Sequence, residues 1–498
     1  MKKAVSSEVM RESDAYACEN TSDSKTLMFM AGKGIFESFD FSGKTAVVCG
    51  SGNNAGDGFV LARLICESGG EAEIFLLSDK FSESGRYYFD ECVSLGIKTQ
   101  KCSEDTDFSG FDNIADCIFG TGFRGSVSGL AALIIDKINA SGKKVVSADI
   151  NSGLSADSGI SDRCVVSDLT VSIGDYKYGH FLGMAKDVMR NKKNIDIGIE
   201  IRGRYARLCE KEDFLPLIRE RKNHSNKGNY GYVGIMGGCT EYSGAVKLAN
   251  LAVGALRGGC GVVKLIVAES LAPAMAPYML ESTLYPVPDK YGYMVFSKEA
   301  IDRALTGLAA LSVGMGWSVT SETKKILEYI LTEKSVPLII DADGINTLAQ
   351  MDIGLLRKTK CRVTLTPHPK EFERISGIPV KEILADPVKH AENFAREYGV
   401  ILLLKGASTV ITDGEETYIT DRGCAGMATA GSGDVLSGLL TGLFGYMGYS
   451  PLTVALGAYM AGAAGEYAER ENTAFGMTSG DTARRLPKVW REILDSMR

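Results

Sequence analysis

Several polar stretches in this 498-residue chain sit where apolar runs end, and they carry the residue types that could do chemistry. The most informative is ATAGSGDVL (428–436), which leads directly into the small-residue segment SGLLTGLFGY. Gly431 and Gly433 let the backbone approach a phosphate, and a helix beginning just after them aims free N–H groups and the positive end of its dipole at that phosphate. Asp434 lies in the middle of this cradle. A carboxylate there repels a resting phosphate but can take the proton of a hydroxyl about to be phosphorylated. The competing possibility is a tight turn with Asp434 as a helix N-cap. Its company favours phosphoryl transfer. LIIDADGIN (338–346) ends an apolar strand on Asp341 and Asp343, RVTLTPHPKEFERI (362–375) puts His368 between two prolines, and ILLLKGASTVI (401–411) reads as a strand ending on Lys405. Asp, His, Lys and a glycine cradle at one edge are what the ligand crevice of an open α/β sheet requires.

A second constellation lies in the first half. KTAVVCG (44–50) reads as a strand, GSGNNAGDG (50–58) as a glycine loop and 59–68 as a helix, a Rossmann-type start in which Asn53, Asn54 and Asp57 add side-chain donors and acceptors. Strand DNIADCIFG (112–120), loop GTGFRG (120–125) and strand KVVSADI (144–150) follow, so that Asp116 and Asp149 end neighbouring strands. With amide oxygens from the NNAGDG segment they form a small oxygen-lined site suited to a hard cation, or else simple strand-end caps. After strand DLTVSIG (168–174), Lys177 is either a site residue or a loop residue, and His180 is expected in an exposed loop.

The elements that must position these residues alternate strand and helix twice over, which implies mostly parallel sheets with helices on both faces. At 498 residues the chain exceeds one ordinary core, and two domains are expected, 1–203 and 225–498, joined by a charged, aperiodic linker at 204–224 with one short amphipathic helix. The second domain restarts with strand GYVGIMGG (231–238) and a helix whose apolar positions are Ala245, Leu248, Ala249, Ala252 and Leu256. The most apolar tract, 435–468, is broken by Gly442, Gly445, Gly448 and Pro451 and reads as two buried helices, neither of transmembrane length. A net charge of −7 without any Lys/Arg run argues against nucleic acid. The 12 cysteines form no CxxC pair, which fits thiols in a reducing compartment better than zinc or disulfides. The opening MKKAVSSEVMRESDAY lacks an apolar core, so no signal peptide is expected, and a cytoplasmic homo-oligomer with no membrane partner is anticipated.

NNAGDG, DCIFGTGFRG and SADINSGL, in this order and spacing, resemble the N-terminal epimerase domain of the NAD(P)H-hydrate repair enzymes. The resemblance implies that Asn53, Asn54, Ala55, Gly56, Asp57, Gly120, Thr121, Gly122, Phe123, Arg124, Gly125, Ser126 and Asp149 hold a hydrated nicotinamide dinucleotide. It further implies that Asn54, Asp116 and Ser152 ligate K+, and that Asp149 transfers protons. Ala55 stands where the family's NNGGDG has glycine, Asn151 where DIPSG has proline, and LMFMAG (27–32) where LMENAG is usual. The second half is similar to the ribokinase-like superfamily, and within it to the ADP/ATP-dependent NAD(P)H-hydrate dehydratases, through NKGNYGYVGIMGG, YSGAVKLANLAVGALRGGCGVV, DADGIN, TLTPHPKEFERI, LLLKGASTVI and ATAGSGDVLSG.

That likeness implies that Lys405, Gly406, Ala407, Ser408, Thr409 and Gly433 bind ADP or ATP with Mg2+. His368 and Asp434 would face the hydrated substrate, and Ala245 would pack against it. The implied function is repair of hydrated NADH and NADPH: epimerisation of NAD(P)HX by the first domain, and ADP-dependent dehydration of its S epimer by the second, through phosphorylation and elimination of the carbon-6 hydroxyl. The alternative is a ribokinase-like vitamin-precursor kinase fused to a non-catalytic dinucleotide-binding domain. A dehydrogenase fits less well, because EAEIFLLSDK ends its strand without the expected acidic residue and NNAGDG departs from GxGxxG.

Overall fold

A computed structural model describes residues 2–254 and 257–496, so Leu256 lies outside the described residues. The chain divides between Ala206 and Arg207 into two compact units. The first unit is built on a seven-stranded parallel sheet. Its strands run in the order Lys98–Lys101, Glu71–Leu76, Lys44–Cys49, Asn113–Cys117, Lys144–Ala148, Leu169–Ile173 and Lys192–Ile195. The central runs are apolar throughout because both faces are covered. Val47, Cys49, Ala115 and Cys117 enter one core, while the alternating Ala46, Val48 and Ile114 enter another. Strand 44–49 lies between strands 71–76 and 113–117, so the order reverses beside it and the crevice opens at its carboxyl end.

Two local features differ from expectation. The helix after strand 44–49 spans Asn53–Glu67, with Gly52 at φ 79° as its cap, so NNAGDG forms the first turns and only GSG is loop. The glycines mislead because they also permit close packing: a Cβ on Gly58 would lie 2.9 Å from Cys49 Sγ and from Cys117 Cβ. Strands 98–101 and 192–195 carry no apolar alternation because they are polar edge strands.

The second unit orders its strands Thr283–Val287, Val262–Ala268, Tyr232–Met236, Ala310–Val313, Pro337–Ile340, Arg362–Leu365, Ile401–Leu404, Thr409–Thr412 and Thr417–Thr420. The first seven are parallel and the last two antiparallel. In ILLLKGASTVI the strand Ile401–Leu404 ends just before Lys405, as expected, and a turn at 405–408 leads into the antiparallel strand Thr409–Thr412. GSGD opens the helix Ser432–Met447, with Gly431 at φ 93° as the cap, so Asp434 occupies the third helical position. The following helix, Pro451–Gly476, runs beyond the expected apolar tract, and among the described residues no helix is long and apolar enough to cross a membrane. Part of the expected linker is structured: Ala206–Leu208 is a strand and Lys211–Leu217 a 3-10 helix whose Phe214 is fully buried against Tyr459.

Helix 432–447 packs on helix Ser243–Gly254 so closely that a Cβ on Gly438 would lie 2.1 Å from the Ala249 carbonyl oxygen. Gly438→Ala is accordingly expected to cost about 2 kcal/mol or more in urea unfolding, because backbone rather than a mobile side chain must yield.

Candidate active sites

In the first unit the strand ends and the opening helices enclose a cavity of about 570 Å3. Asp149 stands at its base, at φ 62°, a left-handed conformation that turns the chain sharply after strand 144–148. Its Oδ1 meets Lys177 Nζ at 2.5 Å and its Oδ2 accepts from Thr121 N at 3.3 Å. Burial pushes this carboxyl up, but the Lys177 ammonium outweighs burial and holds it below the ordinary carboxylate range. Lys177, only 1% exposed, also donates to the Ile173 carbonyl at 2.7 Å.

His180 is fully buried rather than exposed, which corrects the sequence expectation. Its Nδ1 accepts from Lys177 N at 2.9 Å, which leaves Nε2 to donate to the Asp149 carbonyl at 2.7 Å. Burial and the nearby Lys177 bring its pKa down to about 4, so the ring is a neutral brace that fixes the strained Asp149 backbone. The YGH turn reads as loop because its apolar partners come from distant parts of the chain.

Asn53, Asn54, Asp57, Gly120, Thr121, Gly122, Phe123 and Arg124 line the cavity with Asp149. Ala55 instead lies in the hydrophobic core, where its extra methyl is accommodated, and Gly56 packs against Met28. Gly125 adopts φ 89°, and Ser126 donates to Asp162 at 2.9 Å. Asn151 serves structure: its amide donates to the Val165 and Val188 carbonyls at 2.8 and 3.0 Å. Asp116 is sealed beneath the cavity, where its carboxylate accepts from Ser147 Oγ at 2.8 Å and from Ser152 N and Oγ at 2.9 and 2.5 Å. Burial raises its pKa. Asn54 is the outlier. It is 6% exposed, and both polar atoms of its amide lack a hydrogen-bond partner among the described residues. An unpaired buried amide is costly, so these atoms fit contact with a bound ligand or ion.

In the second unit three neighbouring parallel strands deliver Asp341, His368 and Lys405 to one edge. Asp341 Oδ1 pairs with Lys405 Nζ at 2.9 Å, and Oδ2 accepts from Ser437 Oγ at 2.6 Å. Lys405 Nζ also lies 3.8 Å from Glu371 Oε2, and a Cβ on Gly433 would sit 3.4 Å from it. The charged pair thus lies against the GSGD turn. His368 caps helix Pro369–Ser376, its Nδ1 accepting from the backbone N of Lys370 and Glu371 at 3.2 Å. Burial and nearby cations lower its pKa. Ser408 is buried and donates to Asp421 at 2.8 Å, Thr409 opens strand 409–412, and Ala245 packs beside Gly316. Asp434 is pushed up to about 7, first by burial and then by the like charge of Asp341. A carboxyl titrating there is matched to general-base work near neutral pH.

Residues 233–488 match the family NAD(P)H-hydrate dehydratase, and residues 24–179 match the YjeF-related protein N-terminus. The bifunctional NAD(P)H-hydrate repair enzyme of Moorella thermoacetica is 35% identical, with 94% of this chain and 92% of that protein aligned. The chain belongs to the bifunctional NAD(P)H-hydrate repair enzyme family. The Escherichia coli member is 29% identical over 93% of this chain and 89% of its own. The Bacillus subtilis ADP/ATP-dependent NAD(P)H-hydrate dehydratase, co-crystallised with ATP/Mg2+, is 28% identical, with TM-score 0.51 over 58% of this chain and 99% of that one.

In this repair-enzyme family member the structure brings Lys177, left open between site and loop, and His180, expected in an exposed loop, to Asp149. It brings Glu371 and Ser437, which sequence reasoning did not consider, to Lys405 and Asp341. The three-residue spacing of Lys177 and His180 is compatible with a shared turn. Glu371 lies three residues after His368 and accepts from its backbone N at 2.9 Å, a capping box legible in HPKE. Asp341→Asn removes the charge that helps hold Asp434 up. The rising limb of dehydratase kcat/KM against pH, expected near 7, should move toward acid by roughly one pH unit, the scale of a single near charge. An unmoved limb would sink this account of Asp434.

Proposed function

We propose that this chain restores hydrated NADH and NADPH, the first unit interconverting the carbon-6 epimers and the second dehydrating the S epimer with ADP. The observation that carries the second half is Asp434, a carboxyl titrating near neutrality on a glycine helix N-terminus and facing the Lys405–Asp341 pair. Hydroxide leaves carbon 6 poorly. Phosphorylation of that hydroxyl makes a good leaving group, which the ring-nitrogen lone pair expels to regenerate the dihydropyridine. Asp434 takes the hydroxyl proton, the N–H groups of the GSGD turn receive the transferring phosphoryl, and Lys405 offsets the nucleotide's negative charge.

Mg2+ enters with the nucleotide phosphates: among the described residues no group of three or more His, Cys, Asp or Glu side chains is arranged to hold a metal. K+ in the first unit is supported by the orphaned Asn54 amide next to the GTG loop, with Asp116 and Ser152 completing an oxygen-rich corner that would fix the substrate's position. We further assign the chain to a reducing compartment, the cytoplasm, on the ground that all 12 cysteines are free, and infer a homo-oligomer with no nucleic-acid or membrane partner.

The experiment is recovery of reduced-nicotinamide absorbance from mixed hydrate epimers with purified protein, ADP, Mg2+ and K+. Recovery beyond the directly usable epimer, faster than spontaneous epimerisation, is expected. A stall at that fraction would remove the epimerase half, and a stable phosphorylated product without ring restoration would favour the kinase alternative.

A further inference from the structure

Helix Ser7–Asn20 carries none of the motifs above, yet one of its faces walls the first unit's cavity. Ser7, Met10, Arg11, Asp14 and Cys18 border that cavity, and the set 7, 10/11, 14, 18 recurs every three or four residues as a single helix face requires. The first turn is latched to the GTGFRG loop. Ser7 N and Oγ each donate to Asp157 at 2.6 Å, and Arg124 Nη2 donates to Ser7 Oγ at 2.6 Å. Two turns further on, Asp14 is half-buried, and among the described residues its carboxylate accepts no hydrogen bond. A carboxylate placed on a ligand cavity by a latched helix, without a structural hydrogen bond of its own, is available for chemistry.

Building on the epimerase function proposed above, we infer that Asp14 is a second catalytic acid–base group of the first unit, acting with Asp149 on the carbon-6 hydroxyl and on the water that replaces it. Inversion at carbon 6 through the C–O bond requires a proton given to the leaving oxygen and a proton taken from the water added on the opposite face, a division that two such groups serve. Protonated Asp14 gives its proton to the hydroxyl oxygen. The C6–O electron pair leaves with that oxygen as water, while the N1 lone pair forms a C6=N1 double bond. Water then adds to the opposite face, the double-bond pair returns to N1, and the Asp149 carboxylate takes the proton of the added water. The proton passes back to Asp14 through the cavity, so the cycle consumes nothing.

The charges around Asp14 suit this division. It faces Lys177, Asp149 and Asp57, with Arg11 and Cys18 on its own helix. Burial and the Asp149 charge push Asp14 up to about 6 against the pull of Lys177, while Lys177 holds Asp149 low. Two carboxyls whose surroundings separate their titrations mark an acid and a base. Asp57, deeper still, is raised well above its ordinary range by burial and then by the charges of Asp149 and Asp14.

The test follows interconversion of separated epimers by chromatography in the full chain. Asp14→Asn should lower the epimerisation kcat by at least about 100-fold, with KM unchanged and a melting temperature no lower than that of wild type, and S-epimer dehydration should proceed at the wild-type rate. Asp14→Glu should restore the rate to within about tenfold of wild type. In wild type the epimerisation rate should fall as pH rises through about 6, where Asp14 loses its proton, and the residual Asn activity should be flat there. Asn turnover within threefold of wild type, or a defect confined to KM, would overturn the assignment. If Asp14→Asn does not fold, a folded but inactive Asp14→Glu would overturn it as well. A wild-type chain that does not exceed spontaneous epimerisation would instead remove the epimerase function itself, and this proposal with it.

Discussion

Asp434→Asn is expected to reduce dehydration of the S epimer by at least about 1000-fold while leaving epimerisation and nucleotide affinity intact, because only the proton acceptor is lost. The same variant should be more stable than wild type at alkaline pH. The folded carboxyl titrates near 7 and the unfolded one near 3.8, so the folded state holds this proton more tightly. Wild type therefore loses stability as pH rises from about 4 to about 7, a loss on the order of 2 kcal/mol for this partly exposed group, and the amide has nothing to lose. Melting temperatures at pH 8 should show the variant several degrees higher, with the gap closing below pH 4. Near-normal turnover would refute the base assignment. A variant less stable at pH 8 would refute the electrostatic account of why Asp434 is poised there.

Asp149→Asn should abolish epimerisation and leave dehydration of the S epimer untouched, so that absorbance recovery from a mixture stalls at the directly usable fraction. Loss of both activities would refute the division of labour between the units. The structural cost is separable. The variant leaves the Lys177 ammonium, 1% exposed, without its counter-ion at 2.5 Å, and removing one partner of a buried pair costs about 3–5 kcal/mol. Pairing it with Lys177→Met should recover most of that stability in urea unfolding while epimerisation remains absent. If the single variant is as stable as wild type, the ion pair does not support the Asp149 turn. If the double variant epimerises, Asp149 is not the proton-transfer group.

The site in the second unit was more legible than that in the first. Asp341, His368 and Lys405 each follow a short apolar run, and neighbouring parallel strands end at one sheet edge whatever the intervening helices do. GSGD carries its own backbone chemistry, since Gly431 at φ 93° and the helix that follows are local consequences of residue type. The NNAGDG segment misled for the complementary reason. Its glycines argue for a loop by propensity, but in the folded unit they let helix 53–67 pack on Cys49 and Cys117, and tertiary packing overrode propensity.

By itself the sequence determined the alternation of strands and helices, the two α/β units, the strand-end positions of Asp149, Asp341 and Lys405, and the glycine-capped helix start at 431–434. Each of these rests on periodicity or turn chemistry within a few residues. Only the tertiary structure decided the protonation states and partners: Lys177 and His180 closing around Asp149, Asn54 buried with its amide unpaired, helix 7–20 bringing Asp14 to the cavity, and Asp434 raised to about 7. Desolvation and charge–charge coupling depend on which distant segments exclude water from a group, and no local pattern encodes that.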